Sequence, residues 1–157
     1  MISKPSTILF VLCALFAVAV APVSAQAACN NSALAGAWDY TYTGTIYTPA
    51  GPLPLASVGH FRMDQSGNFA GSQSRSVAGA AGLEDVNGTI PVSRDCSATS
   101  AVNVLVNGQL QRTAVLALVF DSNQKHVRGI FQSLTLPDGT NVPVVITIEG
   151  NKINPNN

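Results

Sequence analysis

Apolar and polar residues alternate along most of the chain after residue 33, in short segments of about ten residues. The clearest segment covers residues 38–47, where Trp38, Tyr40 and Tyr42 share one face and threonines occupy most of the other. Such alternation is typical of a β-strand that is buried on one side only. No segment after residue 33 shows the helical period of about 3.6 residues. The sequence therefore predicts an all-β protein.

Turn residues separate successive segments of this kind. The predicted strands cover residues 38–47, 56–64, 69–77, 86–93, 98–106, 109–121, 126–136 and 142–149. Residues 64–68 and the Asn107-Gly108 pair predict hairpin turns, since both contain a glycine that can adopt positive φ. The proline-rich segment 49–54 predicts a loop that cannot pair, and residues 78–82 predict a flexible connection.

Eight strands in near-neighbour order predict a closed barrel, because closing a meander removes the exposed edges of an open sheet. A two-sheet β-sandwich uses similar strands, but it needs longer crossing connections than most of those in this chain. We therefore predict a single eight-stranded antiparallel up-and-down β-barrel over residues 28–150, with a β-sandwich as the alternative. The polar residues 151–157 are predicted to form a flexible tail.

The N-terminal residues differ in character from the rest of the chain. Lys4 is the only charged residue among the first 38, and an apolar run of 13 residues covers 8–20. At about 1.5 Å per residue, this run is too short to cross roughly 30 Å of hydrocarbon as a helix. Ala25 and Ala27 fit the A-x-A cleavage pattern. The sequence predicts a signal peptide at 1–27, cleaved before Ala28 or after Ala25, and a secreted or periplasmic protein; a short membrane anchor is the alternative.

Removal of a signal peptide at 1–27 leaves two cysteines, Cys29 and Cys96. An even pair in an oxidising compartment forms a disulfide by default. The two cysteines are 67 positions apart, and the loop-entropy model gives roughly 4 kcal/mol for closing so long a loop. A metal site is not predicted, since His60 and His126 show no ligand spacing to either cysteine.

Charge and motifs narrow the range of functions. Eight basic and eight acidic residues give a formal net charge of +0, and no basic stripe exists, which disfavours nucleic acid as a partner. Signatures of hydrolases, metalloproteases and nucleotide-binding loops are absent, so neither an enzyme nor a cofactor is predicted. Glu84 and Asp85 are expected on a solvated turn, and His60 and His126 at the surface.

The predicted inner face of the barrel mixes bulky side chains with glycine, alanine and serine. An eight-stranded barrel is just wide enough to be filled by side chains or to hold one small ligand. The small residues therefore either accommodate neighbouring aromatic rings or leave a cavity. An inward Arg75 must reach solvent at the rim or meet an anion, because burying it unpaired is costly. The candidate ligand-binding residues are Trp38, Tyr40, Tyr42, Phe61, Met63, Gln73 and Arg75.

The segment Gly36-Ala37-Trp38 resembles the G-x-W opening of lipocalins and lipocalin-like (calycin) barrels. In that family the Trp packs beneath the core at the start of the first strand, and a basic residue late in the barrel covers it. The resemblance implies this role for Trp38, with Arg128 as the candidate basic residue. The Gly-rich hairpins are also similar in architecture to allene oxide cyclase and dirigent barrels.

Three functions remain open at this point. The first is a secreted carrier or sensor that binds a small, largely apolar molecule inside the barrel. The second is a structural or surface-interaction module with a packed core, which binds its partner through loops such as residues 47–55. The third, implied by the similarity to allene oxide cyclase, is a barrel isomerase or cyclase.

Overall fold

The strands close into a barrel in the computed structural model, which describes residues 28–153. Eight antiparallel strands follow one another around it in chain order. This confirms the predicted up-and-down barrel and excludes the sandwich. The predicted signal peptide and residues 154–157 lie outside the described residues. The elements are α1 (Asn31–Leu34), β1 (Gly36–Thr48), β2 (Gly51–Met63), β3 (Asn68–Val77), β4 (Ala80–Thr89), β5 (Ser97–Val106), β6 (Gln109–Phe120), β7 (His126–Thr135) and β8 (Val144–Ile153).

Strands β1 and β2 form one long hairpin, so the predicted unpaired loop at 49–54 is wrong. Pairing continues up to Thr48 opposite Gly51. Pro52 and Pro54 occupy alternate positions of β2, and the ladder with β3 begins only at Leu55. Because proline is tolerated where its missing N–H needs no strand partner, the two prolines do not interrupt the hairpin.

Strand β4 begins earlier than predicted. Ala78 and Gly79 both adopt positive φ, at 49° and 90°, as in the two-residue turn that best matches strand twist. Asn107 and Gly108 form the predicted turn of the same kind, at 52° and 75°. An alanine at the first position hides the turn from sequence inspection, since alanine rarely takes positive φ. The predicted flexible connection at 78–82 is therefore a tight turn followed by a strand.

A short helix closes the end of the barrel at which β1 begins, which we call the lower end; the opposite end is the upper end. Helix α1 was not predicted, because four residues are too few to produce a helical period. Leu34 at its end is fully buried, and its carbonyl accepts a hydrogen bond of 2.9 Å from the indole N–H of Trp38. Trp38 is only 1% exposed, so the helix and the indole seal the lower end together.

The predicted disulfide between Cys29 and Cys96 is present, with a Cα–Cα distance of 5.0 Å. Cys29 precedes α1 and Cys96 precedes β5. The bond therefore ties the N-terminal segment to the middle of the chain at the lower end. Within residues 28–153, no helix is long and apolar enough to cross a membrane.

Two strand pairs separate towards the upper end. β4 pairs with β5 only over residues 85–89, although β4 begins at Ala80. β7 pairs with β8 only over residues 126–130, although β7 continues to Thr135. Above Asp85, β4 and β5 share no ladder, whereas the end of β7 bonds to the segment before β8, where the N–H of Val142 donates to the carbonyl of Leu134 at 2.8 Å.

Strand β8 ends at Ile153, and its residues 151–153 pair with the start of β1. These three residues therefore belong to the barrel, and the predicted tail does not begin at residue 151. The cause is the length of β1, which offers a partner to β8 as far down as Ala37.

Candidate functional site

A cavity of about 70 Å³ lies inside the barrel. Aliphatic side chains of β4 to β8 line one part of it, with Gln73 and Arg112 as polar neighbours, and six aromatic rings line most of the rest: Tyr40, Tyr42, Phe61, Phe69, Phe120 and Phe131. The small side chains of Ser100 and Ala114 also border it, and both residues are 1% exposed. A buried water needs roughly 10–15 Å³ of such space. An apolar cavity of about 150 Å³ binds benzene, so one aromatic ring fits into this smaller cavity only if lining side chains shift outwards.

Small residues on the inner face also accommodate neighbouring rings. A Cβ atom at Gly59 would lie 2.6 Å from Cζ of Tyr40, which is its partner on β1. A Cβ atom at Gly88 would lie 3.1 Å from Cε1 of Phe69. Both outcomes considered from the sequence therefore occur together: some small residues make room for aromatic rings, and a cavity remains.

Gln73 is the centre of a buried polar cluster on the inner face. The Tyr40 hydroxyl donates to Gln73 Oε1 at 2.8 Å. Gln73 Nε2 donates to the Tyr42 hydroxyl at 3.0 Å and to Glu84 Oε2 at 2.7 Å. Gln73 is 4% exposed, and each of the other three residues is 7% exposed or less. Every polar atom of the Gln73 carboxamide is thus engaged.

Two arginines share the carboxylate of Glu84. Arg112 Nη1 donates to Glu84 Oε1 at 2.8 Å, and Arg112 Nη2 is hydrogen-bonded to Glu84 Oε2. Arg75 Nε donates to Glu84 Oε1 at 3.0 Å. The Arg75 side chain is 25% exposed, against 6% for that of Glu84 and 9% for that of Arg112. Arg75 therefore both reaches solvent and meets an anion, and Glu84 lies on a strand rather than on the predicted solvated turn.

Strand register brings this cluster together. Tyr40 pairs with Gly59, Gly59 with Gln73, and Gln73 with Glu84, across four successive strands. Arg112 lies on β6, where it pairs with Val104 of β5. Since β4 and β5 do not pair above Asp85, the guanidinium of Arg112 reaches the carboxylate across the region where the ladder is missing.

The surroundings fix the charge of each group at neutral pH. Burial raises the pKa of Glu84, but hydrogen bonds from Arg112 and Gln73 outweigh it and hold the pKa below its usual value of 4.5. Burial lowers the pKa of Arg112, but the hydrogen bonds and charge of Glu84 raise it overall. Burial raises the pKa of Tyr40 above its usual 10.0, and Tyr42 and Glu84 add to this rise. Glu84 and Arg112 thus form a buried ion pair beside a neutral Tyr40.

The structure divides the predicted ligand-binding residues into two groups. Tyr40, Tyr42, Phe61 and Gln73 line the cavity. Trp38 and Met63 lie in the buried core outside the cavity lining, at 1% and 3% exposure, and Arg75 lies in the ion pair. Within residues 28–153, no group of three or more side chains is arranged to hold a metal ion.

Glu84 and Arg112 are the polar residues of this cluster that sequence reasoning missed. The inward Arg75 was the available signal, because a buried arginine requires an anion. Extending the alternation of Val86 and Gly88 upstream by one step reaches Glu84. The predicted turn at 78–82 obscured that step.

The basic residue beside Trp38 is Lys152 rather than Arg128. Arg128 is exposed on the outer face, where it pairs with Val119 and Glu149. Lys152 pairs with Trp38, and its Nζ donates to the carbonyl of Ala33 in α1 at 2.6 Å. The sequence does not predict this role for Lys152, because β8 extends past the predicted end of the barrel at residue 150. His60 is exposed, as predicted.

Solved structures with a similar fold have distant sequences. The structure of EF1p2_mFAP2b bound to DFHBI aligns with a TM-score of 0.54 at 11% identity, covering 77% of this chain and 94% of that chain. A redesigned beta barrel aligns with a TM-score of 0.49 at 15% identity, covering 82% of this chain and 100% of that chain. No protein-family model matches the chain, and no curated protein matches its sequence. The first similarity supports the barrel fold alone.

Proposed function

We propose that this protein is an exported carrier or sensor that binds one small, largely apolar molecule inside its barrel. The observation that carries the proposal is the cavity of about 70 Å³. Its walls are mainly aromatic and aliphatic, and a few polar groups border it, as in most small-molecule sites. A module that served only as a scaffold has no need of this space.

Export is the second part of the proposal. It rests on the pattern of the first 27 residues and on the disulfide between Cys29 and Cys96, a bond that persists in oxidising compartments. A secreted or periplasmic location fits both features.

A lipocalin-like origin is the third part. The short helix α1, the buried Trp38 and the nearby Lys152 support it, because the family places a basic residue from late in the barrel over this Trp. The similar barrel EF1p2_mFAP2b is bound to DFHBI, which agrees with a barrel of this fold holding a small molecule.

Binding can be tested in two ways. Native mass spectrometry of protein purified from its host is expected to detect one bound small molecule per chain. Toluene, which is the size of one ring, is expected to raise the Tm of ligand-free protein in a concentration-dependent way, since a ligand of the folded state stabilises it.

Variants connect this effect to the cavity. Ala114→Leu places three additional carbon atoms in the cavity and is expected to abolish the toluene effect. Ala101→Leu, at an exposed position of β5, makes the same change outside the barrel and is the control. If Ala114→Leu does not fold, Val102→Leu serves in its place. A toluene effect of equal size in the cavity variant and in the control would contradict the proposal.

A further inference from the structure

The hydrogen bonds of Gln73 determine where the proton of the Tyr42 hydroxyl can point. The Glu84 carboxylate can only accept, so the amide nitrogen of Gln73 must face it. The same nitrogen donates to the Tyr42 hydroxyl at 3.0 Å. Tyr42 is therefore the acceptor in that bond, and its own proton points elsewhere.

No acceptor within residues 28–153 is hydrogen-bonded to that proton, although Tyr42 is 6% exposed. None of the other polar groups of the cavity accepts this proton. The Tyr40 hydroxyl donates to Gln73 Oε1, and the Ser100 hydroxyl donates to the carbonyl of Thr89 at 2.9 Å. Arg112 bonds Glu84 with one N–H of each terminal nitrogen, and its guanidinium, which donates only, cannot accept the Tyr42 proton. Tyr42 thus carries a hydroxyl proton without an acceptor at the wall of a largely apolar cavity, beside the remaining N–H groups of Arg112.

We propose that the Tyr42 hydroxyl donates a hydrogen bond to the ligand, and that the ligand is an uncharged molecule of about one ring bearing a carbonyl oxygen. This inference rests on the proposed function. The cavity of about 70 Å³ limits the ligand to no more than one ring, because it is smaller than the cavity of about 150 Å³ that binds benzene. A carbonyl oxygen supplies the acceptor that a buried hydroxyl requires.

An anionic ligand fits the site less well. The buried pair of Glu84 and Arg112 is neutral as a whole, and the additional positive charge, on Arg75, is partly solvated. A ligand carboxylate would lose its hydration and would lie near the carboxylate of Glu84. Burial of a charge without a partner is costly, so an uncharged acceptor is favoured.

The test compares toluene, which has no acceptor, with benzaldehyde, which is a ring of the same size with a carbonyl oxygen. Calorimetry on the full chain measures the affinity of each compound for the wild type, for Tyr42→Phe and for Tyr47→Phe. Tyr47 is 48% exposed on β1 and is the control. Tyr42→Phe is expected to weaken benzaldehyde binding about tenfold relative to toluene, the effect of one hydrogen bond. Tyr47→Phe is expected to leave the ratio of the two affinities unchanged.

The outcomes separate this inference from the proposed function. If both compounds bind and Tyr42→Phe leaves their affinity ratio unchanged, the inference is overturned and the proposed function stands. If neither compound binds to the wild type, the proposed function itself fails. The infrared carbonyl stretch of benzaldehyde bound to the wild type gives a second measurement that needs no variant. A shift to lower frequency than in an apolar solvent is expected, and an unshifted band would overturn the inference.

Discussion

Arg112 binds both oxygens of the Glu84 carboxylate across the part of the barrel wall where β4 and β5 do not pair. The strand ladder ends at Asp85, one residue from Glu84. The ion pair therefore connects β4 to β6 where backbone hydrogen bonds cannot. It also anchors Gln73, and through Gln73 the two tyrosines at the cavity.

Removing one partner of this pair is expected to destabilise the fold strongly. Glu84→Leu leaves Arg112 buried without its carboxylate, and Arg112→Met leaves Glu84 with the partly exposed Arg75 as its one cationic partner and with the neutral amide of Gln73. Each single variant is expected to lower the free energy of unfolding by about 3–5 kcal/mol, because it leaves a buried charge without its main partner. Urea denaturation of the wild type and of each single variant measures this loss of unfolding free energy.

The double variant Glu84→Leu/Arg112→Met shows whether the single variants lose stability through an unpaired buried charge or through lost side-chain packing. It is expected to be more stable than either single variant, since two apolar side chains can replace a buried ion pair at little cost. Asp85→Asn changes an exposed neighbour of Glu84 and is expected to stay within about 0.5 kcal/mol of the wild type. Additive losses in the double variant would contradict this account of the pair.

Acid is expected to remove the contribution of Glu84 to stability. The folded pKa of Glu84 lies below the usual 4.5, so the unfolded chain binds a proton first as the pH falls. The stabilisation is fully present above about pH 4.5 and is lost as the pH falls through the folded pKa. The difference in unfolding free energy between wild type and Glu84→Gln should therefore shrink below pH 4.5. If the difference in unfolding free energy stayed constant down to about pH 2, the pKa of Glu84 in the folded protein would not be lowered.

Sequence reasoning identified one half of the candidate site. Alternation along single strands was enough to place Tyr40, Tyr42 and Gln73 on the inner face. It could not identify Glu84 and Arg112 as partners, because their contact depends on where β4 and β5 stop pairing. Local sequence does not encode this feature, which arises only when the barrel closes.

Turn chemistry explains the remaining differences between prediction and structure. The Asn107-Gly108 turn was predicted because both residues favour positive φ, whereas the equivalent turn at Ala78-Gly79 was missed because alanine does not. The prolines at 52 and 54 indicated a break, but they lie where β2 has no partner in β3. In both cases tertiary pairing overrides local preference.

Because Tyr40 packs over Gly59, replacing this glycine is expected to destabilise the fold. In Gly59→Ala the new Cβ would lie 2.6 Å from Cζ of Tyr40 and 2.7 Å from the backbone oxygen of Ser72. Because the backbone cannot easily move, overpacking is expected to cost about 1–3 kcal/mol. Thermal or urea denaturation measures the loss.

Gly82→Ala is the matched control on β4. A Cβ atom there would meet nothing within 4 Å, so this variant is expected to stay within about 0.5 kcal/mol of the wild type. Equal stabilities for the variants at Gly59 and Gly82 would show that Tyr40 can move away from its observed position.

Alkaline pH is expected to destabilise the protein through Tyr40. Burial raises the folded pKa of Tyr40 above the usual 10.0, so the unfolded chain loses its proton first as the pH rises. The unfolding free energy of the wild type should therefore decline above pH 10.0, and that of Tyr40→Phe should decline less steeply. At neutral pH, Tyr40→Phe is expected to be less stable than the wild type, because it lacks the hydrogen bond to Gln73. Tyr47→Phe, at an exposed position, is the control. Parallel declines in wild type and Tyr40→Phe would be incompatible with this role.

The disulfide is expected to hold the lower end of the barrel in place. It joins Cys29 to Cys96 over 67 positions and fixes the segment that leads into α1. Replacing both cysteines with serine is expected to lower the free energy of unfolding by roughly 2–5 kcal/mol, mainly because the unfolded chain gains freedom. Trp38 is the only tryptophan and lies beside α1, so its fluorescence reports on this end of the barrel.

The fluorescence transition of the double-serine variant should move to lower urea concentration, and the wild type under reducing conditions should follow the same curve. Agreement between these two curves attributes the loss to the bond rather than to the serine side chains. If the variant unfolds at the same urea concentration as the oxidised wild type, the bond contributes no net stability to the fold. The seal formed by Leu34 and Trp38 would then be sufficient to hold the lower end closed.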